Sequence, residues 1–137
     1  MTAAVALYVE SLYGRGHLAR AAALARALNA AGLPTTLLTG TPNPPADIAH
    51  VAAPTLFAED ERIKTLLTQA GDPPDDAYWA ERRAVLADAV AALRPSVLIT
   101  ETYPFGRPRF AAEAAALRDA ADAVGAKGVA SVRDVLV

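Results

Sequence analysis

The apolar positions of the chain fall into short unbroken runs separated by longer stretches of helical period. Ala4 to Val9 is a continuous apolar run of strand length, the pattern of a strand covered on both faces of a parallel sheet. From Gly16 to about Ala31 the period changes. At about 100° per residue, Leu18, Ala21, Leu24, Ala25 and Leu28 gather on one face. Ala19, Ala23 and Ala27 lie opposite, Arg20 and Arg26 fall on the flanks, and Gly32 is suited to end the helix. Thr35 to Gly40 (TTLLTG) reads as a second strand, entered from Pro34. Strand, helix and strand in this order predict a βαβ unit.

The alternation continues. Thr41 to Asp47 is a proline-rich connection, and residues 50–57 (HVAAPTLF) hold a short third strand. Glu59 to Gln69 is weakly helical until GDPPDD breaks it. A longer helix runs from Asp75 or Asp76 to Leu93, acidic at its start, with Pro95 past its end. Ser96 to Thr100 is a strand, with Glu101 the first charge after it. Residues 103–109 form a loop, 110–126 a helix and 127–132 a final strand. The pattern predicts one α/β domain over residues 1–137, with a Rossmann-like, mostly parallel sheet flanked by helices. The closing residues, VRDVLV, open a fresh apolar run, so the chain is expected to be the N-terminal part of a longer protein.

Composition narrows the function classes. Hydrophobic residues make up 53 % and charged ones 20 %, a globular balance. A net charge of −2 leaves no basic footprint for nucleic acid. The absence of cysteine excludes disulfides and thiolate metal sites. There is no basic-plus-apolar leader and no run near the roughly 20 apolar residues of a membrane span, so the cytoplasm is the default address.

In open α/β sheets ligands bind beyond the carboxyl ends of the strands. Those ends hold Glu10 to His17, Glu101 to Arg107, and Arg133 with Asp134. His17 is one of two histidines and sits in the first turn of its helix, where its phase aims it over the strand ends. A helix N-terminus favours the neutral imidazole that accepts a proton. The alternative is a histidine that packs and hydrogen-bonds locally. Gly14, Gly16 and Ala19 fit the dinucleotide pattern G-x-G-x-x-A, but the first glycine stands too far behind the strand. The second strand also ends in LLTGTPN, without the acidic residue that holds a ribose. Neither a Walker A loop nor a G-x-S-x-G elbow occurs, and His17 and His50 have no metal-ligand spacing. In ETYPFGR, Pro104 and Gly106 shape a turn and Arg107 offers a forked donor to an anionic or hydroxyl-rich ligand. Glu101 would accept from sugar hydroxyls or orient a histidine; the alternative is a solvated strand end, with Tyr103 and Phe105 as loop packing.

Taken together, YVESLYGRGHLARAAALARAL, LITETYPFGR and SVRDVLV resemble the N-terminal part of a glycosyltransferase family related to the enzyme that adds N-acetylglucosamine to the peptidoglycan lipid precursor. The resemblance covers nearly the whole chain. It implies a two-domain GT-B architecture in which this domain takes the acceptor and a C-terminal domain, not contained in these residues, takes the nucleotide-sugar donor. It further implies transfer without a bound metal or other cofactor, and contact with a membrane surface where the acceptor is lipid-linked. By the same resemblance His17 is a candidate general base, with Glu101, from its place after the strand, as a supporting catalytic residue. Gly14, Arg15, Gly16, Arg107 and Arg133 would be ligand-binding. A nucleotide-sugar epimerase on the same scaffold, or a non-enzymatic nucleotide- or partner-binding domain, are the alternative readings.

Overall fold

A computed structural model describes residues 4–60, 65–101 and 108–131. Five strands form one parallel sheet in the order β3-β2-β1-β6-β7. They are β1 (Val5–Tyr8), β2 (Thr35–Thr39), β3 (His50–Ala52), β6 (Val97–Glu101) and β7 (Lys127–Ser131). β1 is central, pairing Val5 with Thr35 on one side and with Val97 on the other. Its two faces explain the unbroken apolar run. Val5, Leu7 and Val9 pack beneath helix α1 (Gly16–Ala30), together with Leu18, Ala21, Ala22 and Ala25. Ala6 and Tyr8 face the opposite layer, built by α2 (Asp76–Leu93) and α3 (Ala111–Ala123). The α/β, Rossmann-like architecture read from the sequence is the one observed.

Local chemistry accounts for the helix ends. Gly14 adopts a left-handed φ of 72°, a conformation that side chains resist, and this sharpens the turn into α1. Ser11 then caps α1 from a distance, its Oγ accepting from the Leu18 N–H at 2.7 Å. Asp75 caps α2 through the Tyr78 N–H at 2.8 Å, as its acidic start predicted. Arg94, left-handed at φ 45°, ends that helix ahead of Pro95.

The segment Glu59 to Gln69 is expected to be weakly helical, but its residues Leu66–Thr68 instead form a strand of an antiparallel hairpin. Strand β4 (Leu56–Ala58) pairs with β5 (Leu66–Thr68). Leu56, Ala58, Leu66 and Thr68 alternate inward, and the Ala58 N–H donates to the Leu12 carbonyl at 2.7 Å. Alternating burial and a backbone partner on the first loop outweigh a weak helical preference. The hairpin is therefore docked on the loop that follows β1. No helix among the described residues is long and apolar enough to cross a membrane.

Candidate active site

The strand order reverses at β1, since the chain runs outward to β2 and β3 on one side and returns to β6 and β7 on the other. The crevice beyond the carboxyl ends of β1 and β6 is the switch point at which such sheets hold ligands. Two residues singled out from the sequence meet there. His17, second residue of α1, places Nδ1 2.9 Å from Oε2 of Glu101, the last residue of β6. The imidazole is partly open, its side chain 18 % exposed, whereas the Glu101 side chain is 1 % exposed. A carboxylate only accepts, so this contact places the proton on Nδ1 and the basic lone pair on Nε2.

Arg20 completes the arrangement. Its Nη1 donates to the other Glu101 oxygen, Oε1, at 3.1 Å, and its Nη2 reaches Ser131 Oγ at 3.3 Å. Two donors thus compensate the cost of burying the carboxylate. By sequence alone Arg20 falls on the flank of the helix. The available signal was its spacing, because residues three apart on a helix share a face.

Arg15 lies at the N-terminus of α1 with its two terminal guanidinium nitrogens on backbone carbonyls. Nη1 donates to Pro42 at 2.9 Å and Nη2 to Asn43 at 2.7 Å, clipping the glycine turn to the proline-rich loop. The Ser11 N–H donates to buried Thr41 Oγ1 at 2.8 Å and ties the same two loops deeper down. Gly14 and Gly16 lie exposed above them, and no atom of the described residues stands within 4 Å of where a Cβ at Gly16 would project. Arg107 and Arg133, with Tyr103 and Phe105, lie outside the described residues. His50 is exposed at the start of β3. Among the described residues no cluster of three or more His, Asp or Glu could hold a metal ion.

Glu10, grouped with His17 by its place after β1, belongs to a different cluster. It turns to the α2–α3 side, where its Oε1 accepts from Arg82 Nη2 and from the Gly40 N–H, both at 2.8 Å. Arg82 is fully buried; its Nε and Nη2 also grip the Glu113 carboxylate at 2.9 and 3.0 Å, and its Nη1 donates to the Pro54 carbonyl. The Tyr8 hydroxyl donates to Glu113, and the Phe110 ring lies 5.9 Å from the Arg82 guanidinium carbon. Burial, reinforced by the Glu10 and Glu113 charges, pushes the Tyr8 phenol well above its ordinary pKa. Burial also raises the Glu10 carboxyl, against the opposing pull of Arg82. For Arg82 itself burial works downward, but the two carboxylates outweigh it and hold the guanidinium above the usual arginine range. Neither Arg82 nor Glu113 was singled out from the sequence. The clue was their phase, for Arg82 shares a helical face with Leu86, Ala89 and Val90, and Glu113 with Leu117 and Ala121.

A parallel sheet layered by helices defines an α/β domain of the Rossmann-like kind, with a histidine–carboxylate pair at its switch point. Two solved structures resemble it. One is a glycosyltransferase from Rickettsia africae ESF-5, with a TM-score of 0.59 and 11 % identity over 98 % of this chain and 31 % of that one. The other is Phytolacca americana UGT2 complexed with UDP-2fluoro-glucose and pterostilbene, with a TM-score of 0.56 and 17 % identity over 95 % of this chain and 30 % of that one. At such identities the likeness is one of fold. The chain spans less than a third of the length of either enzyme. No family model and no curated protein matches it.

Proposed function

We propose that the chain is the acceptor-side domain of a GT-B glycosyltransferase, which moves a sugar from a nucleotide-sugar donor to an acceptor hydroxyl. The observation that carries this reading is the contact between His17 Nδ1 and Glu101 at the switch point of the sheet. An acceptor hydroxyl is a weak nucleophile. In the proposed step its oxygen bonds to the anomeric carbon while its proton passes to His17 Nε2. The bond to the nucleoside diphosphate breaks, and that leaving group keeps the electron pair. Glu101 orients the ring and stabilises the imidazolium that forms, and Arg20 holds the carboxylate in place for that task.

The remaining parts follow from their positions. The open backbone at Gly14 and Gly16 admits a ligand close to the positive end of α1. Arg15 sets the shape of that turn, and Arg107 and Arg133 would supply further donors. A second domain would bind the donor and stabilise the departing diphosphate, with no metal required on this side. The sequence resemblance and a neighbour complexed with a UDP sugar favour a nucleotide-sugar donor. We place the reaction in the cytoplasm, with membrane contact only through a lipid-linked acceptor.

Two measurements test the reading. In the polypeptide carrying both domains, turnover of a UDP sugar should fall about 10²–10⁴-fold in His17→Ala, the span expected for loss of a general base. Unchanged turnover would remove His17 from the chemistry. Long-range ¹H–¹⁵N NMR of the neutral imidazole should show the Nδ1–H tautomer in the wild type and lose that preference in Glu101→Gln. A wild-type Nε2–H tautomer would overturn the proposed role of Glu101.

A further inference from the structure

On the α2–α3 side of the same sheet edge lies a second concavity, of about 450 Å³, lined by Thr65, Leu66, Pro73, Pro74, Trp79 and Arg109. Its volume falls within the range of small-molecule sites. Its position follows from the topology. The β4–β5 hairpin is docked on the loop after β1, the first residues of α2 lie where that helix returns from the strand ends, and Arg109 sits in a single 3-10 turn (Pro108–Phe110) opening α3.

Among the described residues the lining offers an apolar wall, the Thr65 hydroxyl and one charge. Trp79, the two prolines and Leu66 present flat or apolar surfaces without charge. The Trp79 ring is already oriented, because it stands edge-on to buried Phe110 at 5.2 Å and 82°. Arg109 is exposed and has no hydrogen-bond or ion-pair partner among the described residues. It differs in this from Arg15, Arg20, Arg26 and Arg82, each of which donates to a named oxygen. A fixed aromatic wall beside a guanidinium without a partner among the described residues suits a ligand that is planar at one end and anionic at the other.

We propose that this concavity is a binding site for a ring compound carrying a phosphate or carboxylate, the ring lying against Trp79 and Pro73–Pro74 and the anion on Arg109. The site is separate from the His17–Glu101 crevice and does not depend on the transferase reading. Trp79 is the only tryptophan of the chain, so its emission reports occupancy directly. Phenyl phosphate and benzoate serve as ring-plus-anion probes, phenol as the ring alone and inorganic phosphate as the anion alone. At least one of the first two should change Trp79 emission saturably, with a Kd on the order of millimolar for so small a ligand. Phenol and inorganic phosphate should each bind about tenfold or more weakly. Arg109→Gln, an exposed change, should keep the circular dichroism spectrum, weaken the anionic probe about tenfold and leave phenol unaffected. The proposal is overturned if neither ring-plus-anion probe saturates, if either half binds as tightly as the whole, or if Arg109→Gln binds the anionic probe like the wild type.

Discussion

Arg82 holds together the buried charged group on the α2–α3 side of the sheet. Its guanidinium joins Glu10, Glu113 and Pro54, and replacing it by methionine would leave two carboxylates buried without their cation. Arg82→Met should therefore lose about 3–5 kcal/mol of stability, measured by urea unfolding. Gly40 shows how closely the group is packed. A Cβ there would stand 2.5 Å from Arg82 Nη1 and 2.8 Å from the Pro54 carbonyl, so Gly40→Ala should cost about 1–3 kcal/mol through overpacking alone. Glu10 adds a pH dependence. Its folded-state pKa is raised from the ordinary 4.5, so its contribution is fully present below that pH and declines as pH climbs through the higher folded value. Compared at pH 4.5 and pH 7.5, the urea midpoint of Glu10→Gln should gain on the wild type as pH rises; a constant difference would contradict this sign. The charged residues at Arg82 and Glu113 were readable as core positions by helical phase. Their charge argues the other way, because a charge within an alanine-rich helix is ordinarily a solvated one.

Among the elements, the strands of the central sheet were the most readable. Ala4–Val9 is an unbroken apolar run and Ser96–Thr100 holds the apolar run Val97–Ile99, the pattern of strands covered on both sides. The β4–β5 hairpin was not readable, since strands of three residues hold too little pattern and their stability comes from Leu12 and the core beneath. The loop after β1 is likewise a tertiary product. Its glycine turn was visible, but its anchoring through Ser11 to Leu18 and Thr41 was not. Ser11→Ala removes the hydroxyl that caps α1 and keeps the Ser11 N–H bond to Thr41. A loss of about 1 kcal/mol is expected by thermal or urea unfolding.

For the whole molecule, the meeting of His17 with Glu101 required the strand order, which periodicity does not contain. Placing β6 beside β1 brings together residues 84 apart in sequence. The same order ranks the strands by protection. β1 is paired on both sides and buried throughout, whereas β7 has four of its five residues exposed. Native-state hydrogen exchange should show the slowest amides in β1 and much faster ones in β7.

The polar group around Arg82 also has a place in time. Its partners lie 72, 31 and 28 residues away, so the contact forms only once the first strand, the turn ahead of the hairpin and the third helix have converged. Stripping water from one guanidinium and two carboxylates gains nothing until all three are in place. The group should thus close after the folding barrier has been crossed and act as a brake on opening. In stopped-flow chevrons Arg82→Met should leave the refolding arm nearly unchanged and raise the unfolding rate by almost the whole loss in stability, a φ-value near zero.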